Sequence, residues 1–241
     1  CRNPGLAIPL IALQYHEVKL HFRVATKASI GMDTTPAGGV PSLDSACCYC
    51  DYIYLDTDER RRFAQTSHEY LIEQVQSNRG NKYDPACLVK HELNFNHPVK
   101  ELVWVHVDNS AAKFAYVDNA SGTAAGGDLG ADDAVLKLNG HDRFSKRPGD
   151  YFKNVQRYQH HTGAGAVTTS GATTASVNRV YLYSFALQPE EHQPSGTCNM
   201  SRIDNAVLEL ESETTDCVDI YAVNYNVLRV MSGMGGLAYS N

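Results

Sequence analysis

From Val18 to Val24 the chain reads Val-Lys-Leu-His-Phe-Arg-Val, apolar and polar residues alternating without a break. Successive side chains of an extended chain point to opposite faces, so Val18, Leu20, Phe22 and Val24 share one apolar side. A helix would scatter them around its circumference. The segment is predicted as a half-buried antiparallel strand. Val207–Glu211 repeats the pattern, with Leu208 and Leu210 facing in against Glu209 and Glu211. Tyr221, Val223, Tyr225 and Val227 share a face of a longer strand from about Cys217 to Met231. Val180–Leu187 and Leu102–Val107 are apolar on both faces, as interior strands of a sandwich are, and Val135–Leu138 is a shorter candidate. Helix signals are few. Asp56 stands as an acidic N-cap three residues before Glu59 and ahead of Arg60–Ala64, and Asp150–Tyr158 follows Pro148-Gly149. A parallel α/β fold needs a helix between successive strands, and those helices are missing. The pattern therefore predicts an all-β antiparallel sandwich with jelly-roll or Greek-key connections and one or two short helices.

The 241 residues are 43% apolar and 20% charged, which suits one or two globular domains with a real core. Lys and Arg number 21 against 27 Asp and Glu, a net charge of −6. Binding to polyphosphate through a basic surface needs clustered cations, so direct nucleic-acid binding is not expected. No apolar run approaches the roughly 18–20 residues that cross a bilayer; Ile8–Leu13 is strand-sized. The chain begins at Cys1, without Met or a signal-peptide pattern, and this end reads as a cut one.

Seven cysteines are an odd count: Cys1, Cys47, Cys48, Cys50, Cys87, Cys198 and Cys217. Without a signal sequence this argues for reduced thiols and against a secreted disulfide framework. Cys47, Cys48 and Cys50 invite a zinc reading, but a structural site wants a second pair, and only Cys87 lies near in sequence. Small buried thiols on a strand are the expected arrangement. Two stretches read as long loops, Asp118–Asp133 and the uncharged Ala/Gly/Thr/Ser tract Thr162–Asn178. Gly233-Met234-Gly235-Gly236 has the composition of a phosphate loop but no helix behind it, and reads as a flexible tail.

Catalytic chemistry is not found. His91-Glu92 is followed by His97, six positions on where a zincin helix needs four, and no His-x-His occurs. The adjacent His160 and His161 would point apart on a strand or a helix. There is no Gly-x-Ser-x-Gly elbow. Glu190-Glu191 and Asp132-Asp133 sit in turns, where solvated acids are expected, and Arg60-Arg61-Arg62 reads as a solvated helix segment. No catalytic, cofactor or metal residue is assigned, and no enzyme activity is expected. The sequons at Asn119 and Asn199 are candidate glycosylation sites only if the protein meets the glycosylating machinery, which the reduced thiols disfavour.

One segment is distinctive. Phe95-Asn96-His97-Pro98-Val99-Lys100-Glu101-Leu102-Val103-Trp104-Val105 is a turn, a proline opening a strand, and a strand bearing the single tryptophan. It resembles a signature of the major capsid proteins of nucleocytoplasmic large DNA viruses. Further segments resemble the same family in the same order: Ile8–Val18, Arg61–Gln65 leading into His68–Gln74, Tyr183–Leu187, Gln193–Asp204 and Asn224–Arg229. The likeness runs nearly end to end, but only to the C-terminal part of a longer family chain built from two jelly rolls.

By that resemblance, residues 1–46 correspond to the last strands of the first jelly roll and the linker, and residues 47–241 to the second jelly roll. The first sandwich would lack most of its strands, exposing the inner faces of Ile8–Leu13 and Val18–Val24. The resemblance further implies a structural protein of the virion shell, assembled in the host cytoplasm. Its partners would be two further copies in a pseudo-hexagonal trimeric capsomer, neighbouring capsomers of an icosahedral shell and minor capsid proteins. Asp118–Asp133 and Thr162–Asn178 would then lie on the capsomer's outward tower. The competing class is a carbohydrate-binding or cupin-like jelly roll, the former marked by exposed aromatics near a groove and the latter by bound metal.

Overall fold

The computed structural model describes residues 3–24, 45–82, 89–107, 133–163, 167–170, 173–176, 180–211 and 217–239, and among them the chain forms twelve strands. The first five are β1 (His68–Lys82), β2 (Val89–Glu92), β3 (Pro98–Val107), β4 (Asp133–Leu138) and β5 (His141–Asp142). Next come β6 (Val167–Ser170), β7 (Thr173–Ser176), β8 (Val180–Ser184) and β9 (Cys198–Asn199). The last three are β10 (Ala206–Glu211), β11 (Cys217–Met231) and β12 (Met234–Leu237). Two short helices accompany them, α1 (Thr57–Gln65) and α2 (Gln156–His160), the latter continuing a π-turn over Tyr151–Val155. Asp56 caps α1 as expected, its carboxylate accepting from Thr57 N at 2.7 Å.

One sheet runs β1-β11-β3-β8, with β12 and β9 added at its margins, and the other runs β2-β10-β4-β5. Each of β1 to β4 crosses to the opposite sheet from its predecessor, and β5, β8, β10 and β11 retrace the path. This alternation is the jelly roll. It brings strands from opposite ends of the segment side by side, so β10 lies between β2 and β4.

The chain divides into two compact units, Glu73–Tyr225 and the combination of Cys1–Ile72 with Asn226–Asn241. The first holds the sandwich core. Leu102, Trp104, Tyr181, Val218, Ile220 and Ala222 from one sheet meet Ala134, Leu136, Ala206, Leu208 and Leu210 from the other. Ile220 pairs with Trp104 and Ala222 with Leu102, and paired residues share a face. The core face of β11 is therefore Val218, Ile220 and Ala222, while Tyr221 and Val223 lie half-buried on the other side. The face shared by Tyr221 and Val223 does not persist to Tyr225. The register shifts between Val223 and Asn224, leaving Lys100 as the extra residue on β3, and beyond this bulge Asn224, Tyr225 and Asn226 are all buried.

Other expectations are corrected. Val180–Leu187 is an edge strand that ends at Ser184, after which Phe185 N and Ala186 N both donate to Lys100 O. Its apolar faces are accounted for by the π-turn and α2, which pack on it; Gln156 Oε1 accepts from Ser184 N at 3.1 Å and blunts the edge. Thr162–Asn178 is not wholly loop, because it contains the β6–β7 hairpin with Val167 opposite Ser176. Most of Asp118–Asp133 lies outside the described residues. Gly233–Gly236 is not a flexible tail. Ser232 (φ 54°) and Gly233 (φ 81°) form the two-residue turn between β11 and β12, both in the left-handed region that a type I′ hairpin requires.

Glu209 was expected to face solvent with Glu211, yet it is buried on β10. Lys137 Nζ approaches it at 2.7 Å from β4 and Lys90 Nζ at 3.4 Å from β2, and their stems cover it. Burial alone would raise its carboxyl; hydrogen bonds and charge from the two lysines outweigh this and hold it below its ordinary 4.5. A lowered folded-state value adds stability that is complete above the unfolded value and is lost as pH falls through the folded one. Denaturant titrations from neutral pH to about pH 3 should therefore show the wild type ahead of Glu209→Gln at neutrality and converging with it in acid. A gap independent of pH would refute this account.

Candidate assembly surface

The structural role that the resemblance implies would act through faces and connections held in fixed geometry, so the residues that rigidify the strand ends are the first candidates. The turn before β3 is built around His97, whose φ of 67° is unusual for a side chain larger than glycine. Three contacts hold it. His97 N donates to Ser201 Oγ at 2.8 Å, Met200 N donates to His97 O at 3.1 Å, and Gln76 grips the preceding peptide. Gln76 Oε1 accepts from Asn96 N at 3.0 Å, and its amide donates to Asn96 O and to Asn224 Oδ1. The distinctive Phe95–Pro98 segment is thus a corner whose strain is met by β1, β11 and the turn after β9.

A second group lies where β3 begins. Lys100 Nζ is almost fully buried and donates to Glu73 Oε1 at 2.8 Å and Pro189 O at 2.7 Å, 5.5 Å from the Tyr225 ring centroid. The neighbouring Glu101 accepts from His161 Nε2 at 2.9 Å, and the other ring nitrogen meets Glu190 Oε1 at 3.1 Å. His160 Nδ1 lies 3.0 Å from Leu187 O, and Thr162 donates from both its backbone and its hydroxyl to Glu190. Hydrogen bonding to Glu101, joined by Glu190, outweighs partial burial and pushes the His161 imidazole above its ordinary 6.5. Hydrogen bonds from Thr162 hold the Glu190 carboxyl below its ordinary value.

Glu190 is therefore engaged, in contrast to the solvated acid expected of a turn. So is Asp133, 3.1 Å from Lys146, which also reaches Glu211. The connection ahead of β9 is closed by Ser195, whose hydroxyl accepts from Gln188 N at 2.9 Å, and by Gly196. A Cβ at Gly196 (φ 150°) would stand 2.8 Å from Phe185 O, so no other residue fits without moving the backbone.

The other unit presents a different surface. Pro9 and Ala12 are buried as the Leu10–Ala12 turn packs on α1, and Gln14–His16 meets the hairpin turn. Tyr15 N donates to Gly233 O at 3.0 Å and Gly235 N to His16 Nδ1 at 3.2 Å. Beyond His16 the chain is extended but joins no sheet. Val18, Leu20, Phe22 and Val24 are exposed, Phe22 by 74%, which corrects the expected half-buried strand. Alternation defines an apolar face; burial requires a facing layer, and among the described residues nothing supplies one. Tyr49, Tyr52, Ile53 and Tyr54 are likewise exposed.

Cys47, Cys48 and Cys50 lie in this second segment, exposed and outside any strand, where buried strand thiols were expected. The Sγ atoms of Cys48 and Cys50 are 3.8 Å apart. Cys1 and Cys87 lie outside the described residues, as does Asn119. Asn199 is exposed and caps the Met200–Arg202 turn, its Oδ1 accepting from Ser201 N at 3.2 Å. Arg60, Arg61 and Arg62 are exposed on α1 as expected, with Arg61 3.9 Å from Asp58. Among the described residues no set of three or more His, Cys, Asp or Glu is placed to hold a metal ion, and no helix is long and apolar enough to cross a membrane.

Sequence reasoning missed three features. Asn139-Gly140 is an Asn-Gly hairpin signal, and it forms the β4–β5 turn with φ values of 52° and 80°. Asn139 Oδ1 also accepts from Asp204 N and Asn205 N, tying that turn to the start of β10. Lys100, a lysine inside an apolar strand, signalled a buried partner without indicating which. The His161 bridge had no local signal at all.

The comparisons with known proteins agree with this architecture. The family described as large eukaryotic DNA virus major capsid protein matches residues 59–236, and the major capsid protein N-terminus family matches residues 1–56. The major capsid protein of Pyramimonas orientalis virus is 55% identical across the whole of this chain, which spans 59% of that relative. That of Paramecium bursaria Chlorella virus 1 is 41% identical, again over the whole chain and 64% of the relative. The chain thus spans roughly six-tenths of the length of these relatives. Among solved structures, "PBCV-1 virus capsid, quasi-atomic model" aligns with a TM-score of 0.74 at 39% identity, covering all of this chain and 68% of the other. A jelly roll with this strand order, matched end to end by capsid relatives at such identity, belongs to the family of large eukaryotic DNA virus major capsid proteins.

Proposed function

We propose that this chain is the C-terminal part of a structural capsid protein whose copies trimerise into pseudo-hexagonal capsomers tiling an icosahedral shell. The observation that carries the reading is the end-to-end match to both capsid families on a jelly-roll sandwich. In the double jelly-roll arrangement, residues 1–46 are the last strands of the first sandwich and the linker, and residues 47–241 are the second. The exposed apolar side of Val18–Val24 supports this, being the face that the remaining strands of a first jelly roll would cover. Two similar sandwiches per chain give six similar walls around a three-fold axis, which is the geometric basis of a pseudo-hexagonal outline.

The acidic balance suits a shell held by shape-matched neighbours rather than by nucleic acid. Further partners in this reading are adjacent capsomers and minor capsid proteins, with assembly in the host cytoplasm. Asn119 and Asn199 are the acceptor positions if the virion is glycosylated. Size-exclusion chromatography with light scattering on the intact capsid polypeptide should give a three-copy mass; a monomer would overturn the proposal. On assembled particles, proteolysis should cut first within Asp118–Asp133 and Thr162–Asn178, and cuts appearing first within Phe95–Val105 would contradict the outward placement of those stretches.

A further inference from the structure

We propose that His161 is a proton-operated clasp: its imidazolium bridges Glu101 of β3 and Glu190, holding the Leu187–Gly196 connection on the sandwich, and its deprotonation loosens that connection. The inference does not depend on capsid assembly. Both ring nitrogens lie within hydrogen-bond distance of carboxylate oxygens, Nε2 at 2.9 Å from Glu101 and Nδ1 at 3.1 Å from Glu190. A carboxylate offers only acceptors, so satisfying both requires a donor on each nitrogen, and only the protonated ring has two. The neutral ring keeps one N–H and turns a lone pair towards the other carboxylate. One bridge then becomes a repulsive contact.

Among the described residues two titratable groups act on the ring through hydrogen bonds and charge, Glu101 from β3 and Glu190 from the connection. The raised imidazole agrees in direction with the geometry. Glu190 stays ionised, held by the Thr162 backbone and hydroxyl. Lys100 grips the adjacent Pro189 carbonyl, and Ser195 and Gly196 close the far end. The connection is thus fixed at several points, among which His161 is the imidazole that bridges two carboxylates. His160, whose Nδ1 lies 3.0 Å from Leu187 O, meets a carbonyl instead, and His192 lies within the connection itself.

A folded-state pKa above the unfolded value means that the bridge contributes fully below about pH 6.5 and is lost as pH rises through the folded value. Hydrogen exchange of the 187–196 peptides, corrected for the intrinsic pH dependence of exchange, should show opening that rises about tenfold between mildly acidic and mildly alkaline pH, while exchange in α1 stays flat. In His161→Gln the rise should fall well below the wild type's, since glutamine does not titrate. Glu190→Gln, a change at a half-exposed side chain, provides a second variant. Its amide can donate to the neutral ring, so its rise should be smaller than the wild type's. In the wild type, the His161 ring resonances should titrate with a midpoint above about 6.5. A flat wild-type profile, an unchanged rise in either variant, or a midpoint at or below that value would overturn the proposal.

Discussion

Replacing Trp104 with alanine should destabilise the Glu73–Tyr225 unit by about 3–5 kcal/mol. The indole is 1% exposed at the centre of the sandwich, on the interior strand β3. It stacks on Tyr181, with centroids 5.7 Å apart and planes 12° from parallel, and meets Phe152 at 5.2 Å and 58°. Phe152 in turn touches Phe144 and Tyr151. Truncation would therefore remove the centre of an aromatic cluster and leave a cavity that β-sheet neighbours on both sides cannot collapse to fill. At roughly 2–4 °C per kcal/mol for a unit of this size, the thermal midpoint should fall by about 6–20 °C. Trp104→Phe should lose less, because a ring remains against Tyr181. An alanine variant that melts with the wild type would show that the cluster does not support the fold.

The second large effect is electrostatic. Among the described residues, Glu73→Ala would leave the Lys100 ammonium, 4% exposed, with the Pro189 carbonyl and the Tyr225 ring as its partners. Removing one member of a fully buried pair costs about 3–5 kcal/mol, because the remaining charge is desolvated without compensation. Glu73 is itself 39% exposed, so water can partly take its place, and a loss of about 2–3 kcal/mol is expected. The double replacement Glu73→Leu with Lys100→Met should recover most of that loss, since it removes both charges and keeps the volume. Urea unfolding of the wild type and the two variants decides the matter. If Glu73→Ala and the double variant unfold together, the penalty belongs to lost packing and not to an orphaned ammonium.

Strand positions were legible in the sequence because alternation is a local property. Val207–Glu211, Leu102–Val107 and Val135–Leu138 all lie within or at the edges of observed strands, and Asp56 caps α1 where its spacing with Glu59 placed it. The capsid likeness was legible for a related reason. Corners such as Phe95–Pro98 combine a left-handed residue, a proline and a buried aromatic, and few other sequences meet those demands together. The polar groups that hold the connections were not legible. Lys100 and Glu73 are far apart along the chain, as are His161 and Glu101, and no local pattern links them.

The sequence by itself determined the strands at Val207–Glu211, Leu102–Val107 and Val135–Leu138, since a strand's side-chain pattern needs only one chain to express it. It also determined the absence of helical crossovers, and hence an antiparallel sandwich. Only the tertiary structure decided which face of each strand is the inner one. On β11 the strand order places Val218, Ile220 and Ala222 against Leu102 and Trp104, and beyond a one-residue bulge at Lys100 both faces are buried at Asn224, Tyr225 and Asn226. The same strand order encloses Glu209 between two lysines. Val18–Val24 shows the converse, a correct alternation left open to solvent. Periodicity distinguishes two faces of a strand, but burial is a relation between strands, set by whichever neighbours the topology brings alongside.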